Sequence, residues 1–140
     1  MAEGETELFL DREGRFFFGG APCIRAEITG LFFEKLEEDG RGGYRIRLGQ
    51  DERPVRVEEA PLRVFHLIGG SAPGPPAIEK DGKHVLVLDA EMIAELDPKT
   101  LRYEGDVPWC RARGLGARFT PTAALSLGRE IAEGRIVLPS

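Results

Sequence analysis

Leu8-Phe9-Leu10-Asp11-Arg12-Glu13-Gly14-Arg15-Phe16-Phe17-Phe18 sets two apolar triplets on either side of a polar stretch that contains one glycine. Glycine supplies the positive φ that closes a tight turn, so the stretch predicts a two-stranded ribbon. Downstream, Ile28, Leu31, Phe32 and Leu36 fall at i, i+3, i+4 and i+8 within Ala26 to Glu38, one stripe of a helix, and Gly40 suits its C-terminal cap. Tyr44-Arg45-Ile46-Arg47-Leu48 then alternates with period two. That pattern predicts a strand with Tyr44, Ile46 and Leu48 inward and both arginines outward. Val55 to Val57 and Leu62 to Ile68 continue as strands, with Pro54 and Pro61 marking edges or turns because neither can donate to a ladder.

Gly69 to Pro76 contains nothing that packs, and this linker divides the chain into a first half, 1–68, and a second half, 77–140. In the second half, Ala77 to Lys80 and Lys83 to Leu88 flank the hairpin signal Asp81-Gly82. Ala90 to Leu96 reads as a short helix between Asp89 and Pro98. Leu101 to Tyr103 and Val107 to Arg113 make a ribbon around Gly105. Thr120-Pro121 starts a helix whose buried stripe is Ala124, Leu127 and Ile131; Gly134 ends it, and Arg135 to Leu138 is a last short strand. The expected class is α+β, with two similar halves of antiparallel strands and one helix each. Ile24 to Leu48 matches Arg118 to Leu138 in element order, each behind a ribbon with proline close before a cysteine (Pro22-Cys23 and Pro108-Trp109-Cys110). Duplication and chance both account for that match.

The chain has 140 residues, 41% hydrophobic and 31% charged, as in an ordinary globular domain that needs no disulfides. A net charge of −5 argues against a general electrostatic grip on nucleic acid or an anionic membrane. Runs such as Val85 to Leu88 are too short to cross a bilayer, and Met1-Ala2-Glu3-Gly4-Glu5 is acidic where a signal peptide would be basic. The expected location is the cytoplasm. Cys23 and Cys110 form no C-x-x-C, and with His66 and His84 they lack zinc-ligand spacing, so no metal or cofactor is expected.

Phe9 to Gly19, then Ile24-Arg25 leading into Leu31-Phe32, resembles the bacterial domain-of-unknown-function family 1285. Val57-Glu58-Glu59-Ala60-Pro61 is similar to that family's acidic-Ala-Pro segment, and Arg111 to Arg118 to its passage from strand to last helix. The stretches span most of the chain, although 69–96 departs from the family's pattern. The resemblance implies a duplicated α+β fold whose second half looks like a pleckstrin-homology barrel. It also implies a nucleotide-like ligand held between the halves and a role in signalling.

Fifteen of the nineteen basic residues are arginine. A GC-rich genome explains such a bias, and so does anion binding, for which guanidinium groups are the better forks. Arg111 and Arg113 alternate and so share a strand face, and Arg118 precedes the helix that Thr120 starts, where free amides also favour an anion. Against this stands pairing of these arginines with Glu58 and Glu59, or plain solvation. Trp109 is either a core anchor or a platform for a base. Glu58 and Glu59 would hydrogen-bond a sugar or base, or support the arginines.

Gly114-Leu115-Gly116 is no dinucleotide fingerprint, since Phe119 stands where a small residue is required, and the chain has no Gly-Lys-Ser or Gly-Lys-Thr. No serine sits in a nucleophile elbow. Three readings of function follow: a non-enzymatic module binding a small anionic, nucleotide-like ligand between its halves through Arg111, Arg113, Arg118, Trp109, Glu58 and Glu59; a protein-interaction or homodimerisation domain; and an enzyme using Cys23 or Cys110 with a histidine.

Overall fold

The computed structural model describes residues 7–69 and 83–139. Two compact units divide the chain, Met1–Pro61 and Leu62–Ser140. Among the described residues each holds a six-stranded mixed sheet and one α-helix. The linker from residue 70 onward, the strand at Ala77 to Lys80 and the Asp81-Gly82 turn lie outside the described residues.

In the first unit, β1 (Leu8–Leu10) and β2 (Phe16–Phe18) form the expected ribbon, and Gly19-Gly20 leads into β3 (Ala21–Pro22). The Asp11 carboxylate closes the β1–β2 turn by accepting the Glu13 and Arg15 amides at 3.0 and 2.8 Å, while Gly14 takes φ 88°. Helix α1 (Ala26–Lys35) is shorter than the sequence suggested. Leu36, instead of extending it toward Gly40, turns to extended backbone and starts β4 (Leu36–Glu38), where it lies opposite Ile46 of β5 (Tyr44–Leu48). The inward face of α1 is also different. Phe33 is buried and, with Phe32, meets the Phe16 ring at centroid distances of 4.8 and 5.3 Å, whereas Ile28 and Leu31 face outward.

β6 (Asp51–Val57) returns parallel to β1, giving the order β3-β2-β1-β6-β5-β4. Pro54 sits inside β6 rather than at its margin. It is tolerated because β1 pairs only with Val55 to Val57, so among the described residues Pro54 has β5 on one side and no paired strand on the other.

The second unit begins with β7 (Leu62–Ile68), which the sequence reading counted with the first half but which pairs with strands of the second sheet. β8 (Val85–Leu88) follows. The segment expected as a helix, Ala90 to Leu96, is instead a tight turn and β9 (Ile93–Glu95). Ala90 and Glu91 both take positive φ, 56° and 59°, the geometry of a two-residue hairpin turn. Asp97 caps a 3-10 turn at Pro98–Thr100. The ribbon of β10 (Arg102–Glu104) and β11 (Val107–Ala112) turns at Gly105 as expected, and β12 (Leu115–Phe119) is a further strand, with Leu115, Ala117 and Phe119 buried.

β12 runs parallel to β7, giving β10-β11-β12-β7-β8-β9. Helix α2 (Pro121–Ala132) starts as expected, with Thr120 Oγ1 accepting the Ala123 amide and Pro121 in the first turn. It buries Ala123, Leu127 and Glu130 rather than Ala124 and Ile131. Arg135 to Leu138 is not a strand; the Arg135 and Ile136 amides donate to the Glu130 carbonyl.

Read in reverse, the second order is the first, so the halves are alike in strand connectivity. The match expected between Ile24–Leu48 and Arg118–Leu138 is not the one that relates them. The helix interrupts the first half between its third and fourth strands, and follows the sixth in the second. Among the described residues no helix is long and apolar enough to cross a membrane.

Candidate functional site

Residues directly opposite in paired strands share a face. Arg102 on β10 stands opposite Trp109 on β11, Trp109 opposite Arg118 on β12, and Arg118 opposite Arg63 on β7. These four side chains form one row across the second sheet, on the face away from Cys110, Ala117 and Leu62. Arg111, two residues beyond Trp109, shares it. Three of the residues singled out in the sequence, Trp109, Arg111 and Arg118, are therefore brought onto one face. Arg113 is not: it has φ 53° and forms the β11–β12 turn with Gly114, so it lies outside the strand alternation that would have aligned it with Arg111.

Trp109 is buried, with the Arg102 guanidinium carbon 5.1 Å from its ring centroid and Gly116 beneath its six-membered ring, where an added Cβ would lie 3.9 Å away. Burial with these contacts is what an anchor of the strand surface shows. The Arg111 amide donates to Thr100 Oγ1 at 3.0 Å and its guanidinium to the Gly114 carbonyl at 2.8 Å. Arg113 Nη1 reaches the Ile93 carbonyl at 3.5 Å. Glu58 and Glu59 follow β6 in the first unit. The Glu58 carboxylate accepts the Arg12 amide at 2.9 Å and lies 3.5 Å from Arg12 Nε, which ties it to the β1–β2 turn. Glu59 is exposed.

Two members of the row escaped the sequence reading. Arg63 is fully buried, and the Asp89 carboxylate accepts both its amide and its Nε, at 2.6 and 2.7 Å. Burial pushes the Asp89 carboxyl up, against the pull of the Arg63 charge, amide and guanidinium. An arginine inside the apolar run Leu62 to Ile68 was the available signal, because a buried charge requires a partner. Arg102 pairs with Glu104 at 2.9 Å.

A second polar cluster joins β8 to α2. His84 Nε2 lies 2.7 Å from Glu130 Oε1, and Arg135 donates to both Glu130 oxygens at 3.0 and 2.7 Å while also pairing with Glu133. The Arg135 hydrogen bonds, with that of His84, hold the Glu130 carboxyl down at about 2. Cys110 is buried and its thiol is pushed up to about 12 by desolvation, the opposite of an activated nucleophile. No cluster of three or more His, Cys, Asp or Glu is placed to hold a metal among the described residues. A cleft of about 700 Å³ in the first unit, beside Tyr44, Arg53 and Arg56, contains none of the residues singled out in the sequence.

The shared strand order relates the two faces. Ala117-Arg118-Phe119 on Leu62-Arg63-Val64 corresponds to Val55-Arg56-Val57 on Leu8-Phe9-Leu10, both as parallel pairs. Arg118 thus corresponds to Arg56, and Arg111, opposite Gly116, to Arg45, opposite Pro54.

No family model matches the chain, and neither does any curated protein. Among solved structures, a DUF1285 family protein from Shewanella baltica OS155 is similar with a TM-score of 0.71 at 16% identity, over 91% of this chain and 94% of that one. A DUF1285 family protein from Silicibacter pomeroyi DSS-3 is similar with a TM-score of 0.69 at 16% identity, over 89% of this chain and 69% of that one. The likeness is one of fold, and the fold of this chain is that of the DUF1285 family proteins.

Proposed function

We propose that the protein is a non-enzymatic binding or regulatory module that recognises a small anionic ligand, nucleotide-like in its phosphate chemistry, through the arginine face of its second half. The observation that supports this is the register that lines up Arg102, Arg118 and Arg63 across three strands with Arg111 on the same face. Guanidinium forks suit phosphate and carboxylate oxygens, and on this face Arg63 and Arg102 are already held by Asp89 and Glu104. Arg111 and Arg118 would hold the anion, and Trp109 would fix the strand surface beside them. Glu58, engaged by Arg12, and Glu59 are not needed for this reading.

The single tryptophan makes the test direct. Trp109 emission and thermal melting are followed while the protein is titrated with nucleotides, phosphorylated metabolites and simple carboxylates. A ligand at one hundred times its dissociation constant adds about 2.7 kcal/mol to stability, a shift of several degrees. Arg111→Ala should weaken the responding ligand about tenfold or more. A silent library, or an affinity unchanged in both Arg111→Ala and Arg118→Ala, rejects the site.

A second reading, self-association, is favoured by the outward side of α1 and its approach, where Ile24, Ile28 and Leu31 are 86%, 36% and 41% exposed. Sedimentation at rising concentration should then show a dimer that Leu31→Glu removes. A monomer throughout rejects it.

A further inference from the structure

The outer face of the first sheet carries an aromatic row that the fold does not require. Pro22 on β3 stands opposite Phe17 on β2, Phe17 opposite Phe9 on β1, and Phe9 opposite Arg56 on β6. Their neighbours Leu8, Leu10 and Phe16 fill the core, so Phe9 and Phe17 point the other way and stay only half-buried. The two rings lie 6.1 Å apart between centroids, tilted by 41°, and the Arg56 guanidinium carbon sits 4.3 Å from the Phe9 centroid. Together they border a cavity of about 290 Å³ whose remaining wall is Glu7, Gly19 and Gly20. The Gly19 amide donates to the Glu7 carbonyl at 3.0 Å, fixing that wall, and the space where a Gly20 side chain would stand is open.

We propose that this cavity is a site for a neutral planar heteroaromatic ring, which stacks on Phe17 beside the Arg56 guanidinium that lies over Phe9. Charge selects the class. The Glu7 carboxylate accepts Nε and Nη2 of Arg56 at 2.7 and 3.3 Å, which neutralises the one cation among the described residues that line the cavity. The hydrogen bond from Arg56 in turn keeps the Glu7 carboxyl below its usual range, so the pair stays ionised and balanced near neutral pH. What the cavity offers is flat π surface and a flat guanidinium rather than a phosphate fork. Its volume, at the small end for ligand sites, suits a single ring system better than a whole nucleotide. The site does not depend on the arginine face of the second half.

Adenosine and uridine are the probes, since stacking on phenylalanine tolerates any base. Backbone amide NMR of the full chain should show saturable shifts at Phe9, Phe17, Gly19 and Gly20 with both nucleosides and none there with inorganic phosphate. Phe17→Leu keeps the apolar volume and removes the plane, and should weaken nucleoside binding roughly 5- to 100-fold while leaving the other amides in place. Glu7→Gln, which releases the Arg56 charge, should turn the preference from adenosine toward its monophosphate. The proposal is overturned by an absence of saturable shifts at millimolar nucleoside, by shifts that map away from these four residues, by phosphate shifting them in the unmodified protein, or by an affinity undiminished in Phe17→Leu.

Discussion

The Arg63 guanidinium lies 2.7 Å from the Asp89 carboxylate, with the two side chains only 1% and 4% exposed. Taking one partner away strands the other in a medium that cannot solvate it. Asp89→Ala should therefore cost roughly 3–5 kcal/mol in urea unfolding, and the apolar pair Arg63→Met with Asp89→Leu should recover most of it. A single variant that loses less than about 1 kcal/mol would contradict this account.

Glu130 gives the protein an acid limit. Its folded value of about 2 lies below the ordinary 4.5, so its contribution is fully present above pH 4.5 and is lost as pH falls from there toward 2. Thermal melts from pH 7 to pH 2 should show a decline over that window that is shallower in Glu130→Gln. The variant should already melt lower at pH 7, because Arg135 and His84 lose their anion.

The β8–β9 turn holds strain that a better turn sequence would relieve. Ala90 and Glu91 sit at φ 56° and 59°, where a side chain costs roughly 1–2 kcal/mol per residue and glycine or asparagine costs far less. Ala90→Asn with Glu91→Gly should raise the unfolding free energy by about 1 kcal/mol and the melting point by a few degrees. No gain would show that the surrounding contacts select the turn residues for another reason.

Cys110 and Cys23 should differ in reactivity. The Cys110 thiol is buried and pushed up to about 12, while Cys23 is half-buried. Intact mass after brief iodoacetamide treatment at pH 8 should show at most one adduct, on Cys23, with Cys110 modified only after denaturation. Fast native labelling of Cys110 would revive the cysteine-enzyme reading.

What the sequence made legible was local. Thr120-Pro121 carries its own capping chemistry, and Gly14 and Gly105 mark ribbons because their positive φ was needed where the apolar runs broke. α1 misled because its apolar residues cover more than one face: Ile28 and Leu31 satisfy helical spacing as well as Phe32 does, and the partner ring of Phe16 selects the inward face. β9 gave no turn signal, since Ala90 and Glu91 are not residues that announce positive φ. β12 does alternate, at Leu115, Ala117 and Phe119, yet Gly114 and Gly116 interrupt the apolar pattern and no strand was expected there. The arginine row was hidden for a different reason: the parallel pairing that brings Arg63 beside Arg118 joins segments far apart in the chain, and no local pattern records such a pairing.

In both sheets the parallel pair at the centre joins the first strand to the last: β1 to β6, and β7 to β12. Chain order and spatial order are thus inverted, with the middle strands of each half, β3 with β4 and β9 with β10, at the rims. During synthesis neither sheet can close until its final strand has emerged, so each half should become protease-resistant in a single late step. Removal of β12 would cut its sheet through the middle rather than trim an edge.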